Sequence, residues 1–199
     1  MLIICAGRSR SGSTLSYNLV RLALIHIFGK KNVYGRGWRY YDKDISTEIH
    51  VVKIHGYRDY FWDNADFVFS SIRDKEEQKS SIFKFQKVMK HRSLSDAKIE
   101  EIIKYDHSRY KKWVTHKNFV KTFDFNELVC EKEMVIKFLF KIFLFDDYND
   151  DDISKIICDL NNIRFLGKGY DPETCMTSSH FTSEKMIKKA NKDRLEFKK

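Results

Sequence analysis

The sequence predicts an α/β fold in which a central parallel sheet lies between two layers of helices, and three observations support this. Short apolar runs of strand length recur along the chain, segments with helical spacing of apolar residues separate them, and a glycine-bounded loop joins the first run to the first helix. The chain has 199 residues and an aromatic content of 15%, which suits one packed core. We therefore expect residues 1–199 to form a single domain.

The predicted strands and helices alternate. Strands are expected at residues 2–5, 49–54, 66–72 and 119–123. Helices are expected at residues 14–28, 75–89, 96–116, 131–145 and 152–160, and residues 57–64 are expected to form a short helix or a turn. Because helical segments separate the strands, we expect parallel pairing, with a ligand site beyond the carboxyl ends of the strands.

Two of the predicted helices carry finer expectations. Ser93 and Asp96 resemble a capping box at the start of the 96–116 helix. The 131–145 helix is expected to face the core through a stripe of five residues, which are Met134, Val135, Phe138, Leu139 and Ile142. The acidic run at residues 146–152 lacks the glycine and terminal glutamate of a calcium loop, so it is interpreted as a solvated turn capping the next helix.

The loop after the first strand reads Gly7-Arg8-Ser9-Arg10-Ser11-Gly12-Ser13-Thr14 and has the frame of a Walker loop without its lysine. Ser13 occupies the lysine position, and Arg10 supplies a positive charge from within the loop. Gly7 and Gly12 are expected to provide the backbone angles of the turn. The first amides of the following helix lack intrahelical partners and lie at the positive end of its dipole. The loop therefore predicts a phosphate or sulfate site in a P-loop-type fold.

Further polar residues follow the other predicted strands. Lys53 and His55 end the second strand, and Arg73 ends the third, with Ser80 and Ser81 on the helix that follows it. Because the carboxyl ends of parallel strands meet at one edge of a sheet, these side chains are expected near the Arg10 loop.

Together these residues resemble the sulfotransferases that use 3′-phosphoadenosine 5′-phosphosulfate (PAPS) as donor. In that family the first loop reads P-K-[ST]-G-[ST]-T, some members have arginine in place of lysine, and residues 9–14 match the arginine version with Ser9 replacing the proline. Arg73 and Ser81 have the family's spacing for the pair that binds the 3′-phosphate. Lys53-Ile54-His55 resembles its K-[ST]-H motif, in which the histidine is the catalytic base.

The resemblance implies transfer of a sulfuryl group from PAPS to a hydroxyl or amine, with no metal ion. His55 would take the acceptor's proton, while Arg10 and Lys53 would stabilise negative charge at the transferred group. The expected donor-binding residues are Arg10, Ser11, Gly12, Ser13, Thr14, Arg73 and Ser81. Ser179-His180-Phe181-Thr182 is similar to a late N-x-F-T segment of the family, and Lys168-Gly169 to part of its R-K-G element.

Two other functions stay open at this point. One is a P-loop kinase that uses ATP and magnesium on a small molecule, and the other is a nucleotide-binding protein without turnover. The formal net charge of +9 fits an anionic ligand, although lysine-rich solvated faces would produce the same charge. No recognisable motif predicts specific nucleic-acid binding.

The location and acceptor are less constrained. Cys5, Cys130, Cys158 and Cys175 stand far apart, which favours free thiols in a reducing compartment. Neither a signal peptide nor a membrane span is recognisable, so a cytoplasmic protein is expected. Residues 34–44 and 57–62 are the candidate segments around a small-molecule, carbohydrate or peptide acceptor. The sequence identifies neither that acceptor nor the oligomeric state.

Overall fold

The computed structural model describes residues 1–89, 94–163 and 170–176 of the chain. These residues form a five-stranded parallel sheet in the order β2-β3-β1-β4-β5. The strands are β1 (Leu2–Gly7), β2 (Val33–Gly37), β3 (Ile49–Ile54), β4 (Phe67–Ile72) and β5 (Phe119–Asp124). The helices are α1 (Ser13–Phe28), α2 (Asp59–Asn64), α3 (Lys75–Met89), α4 (Asp96–Val114), α5 (Phe125–Cys130), α6 (Lys132–Ile142) and α7 (Asp150–Asn162).

The helices cover both faces of the sheet. On one face Ile3 and Val51 pack with buried residues of α1, α6 and α7, among them Leu19 and Leu139. On the other face a second apolar cluster contains residues of β1, β3 and β4 together with Phe61 of α2 and Trp113 of α4. This arrangement confirms the predicted three-layer α/β fold with a central parallel sheet. That residues 1–199 form a single domain stays a prediction.

The strand order places a natural ligand site next to β1. From β1 the chain continues to β2 and β3 on one side, and then crosses to β4 and β5 on the other side. Open parallel sheets bind ligands where the direction of winding reverses, beyond the carboxyl ends of the strands. In this chain the loop between β1 and α1 lies at that point.

The edge strand β2 was missed by the sequence pattern. Its sequence, Val33-Tyr34-Gly35-Arg36-Gly37, contains two glycines, which are depleted in strands. Gly35 is needed because a Cβ at this position would overlap the side chains of Tyr17 and Arg21 on α1. Residues 34–37 therefore belong to the sheet, and the candidate acceptor segment 34–44 is a loop only in its later part.

The α6 region differs from its prediction in length and in the face that it buries. The predicted 131–145 helix is shorter, with a separate helix α5 before it. Met134 is 65% exposed, whereas Ile136 and Phe140, which were not in the predicted stripe, are fully buried. Because buried positions repeat every three to four residues, the helix is rotated by about one position relative to the prediction.

Capping residues define where two later helices begin. Ser95, not Ser93, caps α4, and its Oγ accepts a hydrogen bond from the Lys98 amide. Asn149 caps α7 in a capping box with Asp152, so Asp150, Asp151 and Asp152 form the first turn of α7, which begins two residues earlier than predicted. The acidic run does contain the cap of the next helix, but its last three aspartates belong to that helix and not to a preceding turn.

Several sequence predictions fall outside the described residues: Ser93, Lys168-Gly169, the 179–182 segment and the lysine-rich end at 185–199. Among the helices that the structure describes, none combines the length and apolar character needed to cross a bilayer.

Candidate active site

The loop between β1 and α1 is held in an unusual backbone conformation. Arg10 has φ 63° and Gly12 has φ 87°, both in the left-handed region. Gly12 also lies against Phe125, because a Cβ there would stand 2.8 Å from Phe125 Cδ2. Gly7 serves a different purpose from the one predicted. Its φ is not positive, but a Cβ would stand 2.5 Å from Ser71 Oγ, so Gly7 permits close packing of the loop on β4.

Ser11 maintains the shape of the loop. Its Oγ donates to the Arg8 carbonyl at 2.7 Å, and its amide donates to the same carbonyl at 3.2 Å. Ser71 Oγ lies 3.1 Å from Ser11 Oγ and completes a buried pair. Both donors of Ser11 are thus used within the loop, and its role as a donor-nucleotide ligand stays a prediction.

The first turn of α1 points its amides at the loop. Gly12 is the N-cap and has no side chain to accept a hydrogen bond, and the first helical bond runs from the Ser16 amide to the Gly12 carbonyl. Ser13 and Thr14 are buried in this turn. An anion at the loop would therefore meet the positive end of the α1 dipole and the amides of its first turn.

A buried polar network clamps the other side of the loop. The Ser9 amide donates to Asp106 on α4 at 3.0 Å, and Gln78 on α3 donates to the Ser9 carbonyl at 2.6 Å. Arg8 donates from Nη2 to the Arg73 carbonyl at 2.8 Å. Asp106 and Gln78 were missed by the sequence reasoning, because nothing in their spacing indicates that α3 and α4 pack beside the loop.

Arg10 and Ser81 meet as expected. Arg10 Nε donates to Ser81 Oγ at 3.1 Å, and the Arg10 guanidinium also lies over the Phe85 ring. Ser81 is buried whereas Ser80 is exposed, so the structure favours Ser81 of the two adjacent serines. Burial lowers the pKa of Arg10, and the neighbouring charge of Arg73 lowers it further.

Arg73 already has partners within the chain. Its Nε donates to Glu77 at 3.0 Å, and its guanidinium lies 3.8 Å from the centre of the Phe125 ring. Glu77 is 45% exposed, and an ion pair of that kind stabilises a protein by about 0–1 kcal/mol, so a phosphate could replace it. Phe125 is a further site residue that the sequence reasoning did not find.

Lys53 is a buried basic residue on β3, next to β1. It is 7% exposed on the same sheet face as Val51, and it pairs in register with Cys5 of β1 and Gly37 of β2. Burial lowers its pKa, and the charge of Arg10 lowers it further. Within the described residues no carboxylate forms an ion pair with Lys53.

His55 lies at the end of β3 and is tied to β1. Its Nδ1 is 2.8 Å from the Gly7 carbonyl, which can only accept, so Nδ1 carries the proton and Nε2 keeps a free lone pair. Burial lowers the pKa of His55 to about 3, and the charges of Lys53, Arg10 and Arg39 contribute to the lowering. The imidazole is therefore neutral near pH 7 and able to accept a proton at Nε2.

The predicted residues form one group with a shared electrostatic character. Arg10 contacts Ser81, lies near Arg73, and affects the pKa of both Lys53 and His55. In this group the positive charges depress one another's pKa, which is unfavourable unless an anion enters. The arrangement can bind a multiply charged anion beside a neutral histidine base.

Comparisons with known proteins give a result at the level of structure. No family model and no curated protein matches the sequence. Mouse sulfotransferase SULT7A1 complexed with PAP is similar in structure with a TM-score of 0.60 and 11% identity, covering 94% of this chain and 73% of that chain. Retinol dehydratase in complex with androsterone and the inactive cofactor PAP is similar with a TM-score of 0.55 and 12% identity, covering 98% of this chain and 80% of that chain.

A second structure of retinol dehydratase, in a complex with retinol and PAP, is similar with a TM-score of 0.54 at 11% identity and the same coverage. At these identities the similarity establishes the fold. The chain has the sulfotransferase fold, as the motifs of its first loop predicted.

Proposed function

We propose that this chain, which has the sulfotransferase fold, is an enzyme that transfers a sulfuryl group from PAPS to a hydroxyl or amine. The observation that carries the proposal is the group formed by Arg10, Lys53, Ser81 and His55 at the switch point of the sheet. The group comes from the end of β3 and from the segments that follow β1 and β4, and it would combine an anion site with a neutral base.

The residues present fit the donor nucleotide. Lys53 is buried without a carboxylate partner among the described residues, and the N-terminus of α1 adds further positive potential. Arg10 connects the loop to both residues of the expected 3′-phosphate site, because it donates a hydrogen bond to Ser81 and the charge of Arg73 lowers its pKa. A 3′-phosphate site would require this proximity. The amides of the α1 first turn, with Ser13 and Thr14, would hold the 5′-phosphate.

The chemistry then needs one proton acceptor and one charge stabiliser. PAPS supplies an activated sulfuryl group, and its S–O bond to the 5′-phosphate breaks as the S–O or S–N bond to the acceptor forms. His55 Nε2 takes the proton from the attacking hydroxyl or amine. Lys53 and Arg10 stabilise the negative charge on the leaving phosphate oxygen. The negative donor beside His55 favours the imidazolium, which makes the histidine a stronger base in the complex.

The experiment that tests the proposal compares two nucleotides. Calorimetry should detect binding of 3′-phosphoadenosine 5′-phosphate (PAP) and no comparable binding of ATP with magnesium. Tight binding of ATP with magnesium and none of PAP would instead indicate a kinase. PAP binding without sulfate transfer to any of a broad set of hydroxyl and amine acceptors would indicate a nucleotide-binding protein without turnover.

Other expectations from the sequence stay predictions. They are the independence of metal ions, the absence of specific nucleic-acid binding, the cytoplasmic location and the roles of the individual site residues.

A further inference from the structure

A group of four basic side chains lies next to His55 and has no part in the donor site. We call it the basic rim, and it consists of Arg39, Arg58, Arg109 and Lys112. These residues come from three separate segments: the turn after β2, the loop before α2, and the last turns of α4. The fold alone brings them together, because they span residues 39 to 112.

Close contacts connect the basic rim to His55. A Cβ on Gly56, the residue after His55, would stand 3.4 Å from Arg109 Nη1. Gly56 is also fixed to α4, since its carbonyl accepts a hydrogen bond from Trp113 Nε1 at 3.0 Å. The charge of Arg39 contributes to the lowered pKa of His55. Arg109 thus lies against the residue that follows His55, and Arg39 is near enough for its charge to help lower the pKa of His55.

Arg39, Arg58 and Lys112 pack against aromatic rings. Arg58 and Arg39 lie 4.5 Å and 5.3 Å from the centre of the Trp38 ring, and Lys112 lies 4.7 Å from the centre of the Tyr57 ring. Rings of this kind hold a guanidinium or ammonium in place without neutralising it. The positive charge of the basic rim therefore stays available to a ligand.

The described residues leave the basic rim without salt bridges. No carboxylate in residues 1–89, 94–163 or 170–176 forms an ion pair with any of the four cations. Asp59 and Asp63 lie near the Tyr57 hydroxyl, and neither forms an ion pair with a cation of the basic rim. Within the described residues the four charges are therefore not neutralised by direct ion pairs.

We propose that the acceptor is anionic, carrying a carboxylate or sulfate group besides the hydroxyl or amine that is sulfated, and that the basic rim binds this group. The inference rests on the proposed function and names its acceptor class. In the proposed function the donor's charge is met by Arg10, Lys53 and Arg73 at the ends of β1, β3 and β4, which leaves the basic rim for a second anion. An uncharged acceptor would gain nothing from four cations around the base.

The test uses pairs of acceptors that differ by one charged group. The pairs are 4-hydroxybenzoate with 4-methylphenol, and glucuronate with glucose, so an aromatic and a sugar source of the same chemistry are separated. We expect the carboxylate member of at least one pair to have a kcat/KM higher by about tenfold or more, as charge-assisted hydrogen bonds allow. Binding of each compound to the PAP-loaded protein is measured alongside.

Matched variants locate the effect. Arg58→Gln and Lys112→Gln should each lower the ratio of kcat/KM within the preferred pair by about three- to tenfold. Lys117→Gln removes the same charge from an exposed position at the amino end of β5 and should leave the ratio unchanged. Equal effects of all three variants would show a response to net charge and overturn the inference.

The outcomes separate the inference from the function on which it depends. Failure to bind PAP would overturn the proposed function. With PAP bound, equal or weaker binding and turnover of the carboxylate members, including no measurable binding of either member, would overturn the anionic acceptor and leave the sulfotransferase proposal intact.

Discussion

At the scale of single residues, the most specific feature of this protein is the environment of His55. The Gly7 carbonyl holds the proton on Nδ1, and the surrounding cations and burial keep the ring neutral. A neutral histidine with a free Nε2 is the form that a general base needs. These contacts lead to two testable predictions, one for the rate of sulfate transfer and one for the pH dependence of stability.

Replacing His55 by Asn should separate catalysis from binding. The Asn amide can still donate to the Gly7 carbonyl, but the variant has no group that accepts the acceptor's proton. We expect sulfate transfer to slow by about 10²- to 10⁴-fold, while the dissociation constant for PAP changes by less than about threefold. Single-turnover rates and calorimetry measure the two quantities, and an unchanged rate would show that His55 is not the base.

His55 should also make stability depend on pH. Its pKa in the folded chain, about 3, lies below the ordinary value of 6.5, so in that interval the unfolded chain binds a proton that the folded chain does not. The free energy of unfolding should therefore fall as the pH drops below about 6.5, and the loss should be smaller in His55→Asn. Urea titrations at about pH 7 and about pH 5 compare the two proteins. An identical loss in both would mean that His55 has an ordinary pKa.

At the scale of elements, the loop and α1 form one structural unit, which we propose binds the anionic donor. The unit depends on a left-handed residue at Gly12, on close packing of Gly7 against β4, and on clamping of Ser9 by Asp106 and Gln78. These contacts tie the loop to β4, α3 and α4. A change of loop shape should therefore affect nucleotide binding more than a change elsewhere with the same backbone cost.

Two glycines with positive φ provide a comparison for this expectation. Gly12 and Gly29 have φ of 87° and 83°, but only at Gly12 would a Cβ meet a neighbour, Phe125, whereas nothing lies within 4 Å at Gly29. Gly29 has ψ of 146°, a conformation that suits glycine, so Gly29→Ala should destabilise the protein by about 1–3 kcal/mol and leave PAP affinity intact. Gly12→Ala adds the contact with Phe125 to the cost of a left-handed backbone and should weaken PAP binding by about tenfold or more. Thermal unfolding measures stability and calorimetry measures PAP affinity, and an equal loss of PAP affinity in both variants would exclude a special role for Gly12.

At the scale of the whole molecule, the proposed donor site joins the two halves of the sheet. Lys53 and His55 come from β3 on one side of β1, and Arg73 and Ser81 come from β4 and α3 on the other. A ligand that contacts both halves stabilises the folded chain as a unit, because separation of the halves breaks its contacts.

PAP should accordingly raise the free energy of unfolding of the whole chain. At a free concentration of about 100 times its dissociation constant the gain should be about 2.7 kcal/mol. Ser81→Ala should reduce the gain at the same PAP concentration by weakening the site, and ATP with magnesium should give a much smaller gain. Denaturation followed by circular dichroism measures these differences. A stability that does not change with PAP concentration would contradict the site.

Sequence patterns succeeded where the relevant interactions are local. The four predicted strands and the boundaries of α1 and α3 follow from apolar periodicity and from glycine and serine signals a few residues apart. They failed at β2, where Gly35 packs against Tyr17 and Arg21 and Gly37 packs against Tyr170, so that two glycines obscure a strand, and at α6, where the buried face is rotated. In both places the deciding contact comes from a distant part of the chain.

The sequence by itself determined the α/β fold, the anion-binding loop, and which residues follow each strand, because these depend on short-range spacing and on the periods of helix and strand. Only the tertiary structure decided which nitrogen of His55 carries the proton, that Arg73 pairs with Glu77, and that the residues of the basic rim lie on the His55 side of the sheet edge. The physical reason is that hydrogen bonds, burial and charge interactions act over a few ångströms in space. Residues far apart along the chain become neighbours only through the packing of the sheet and its helices.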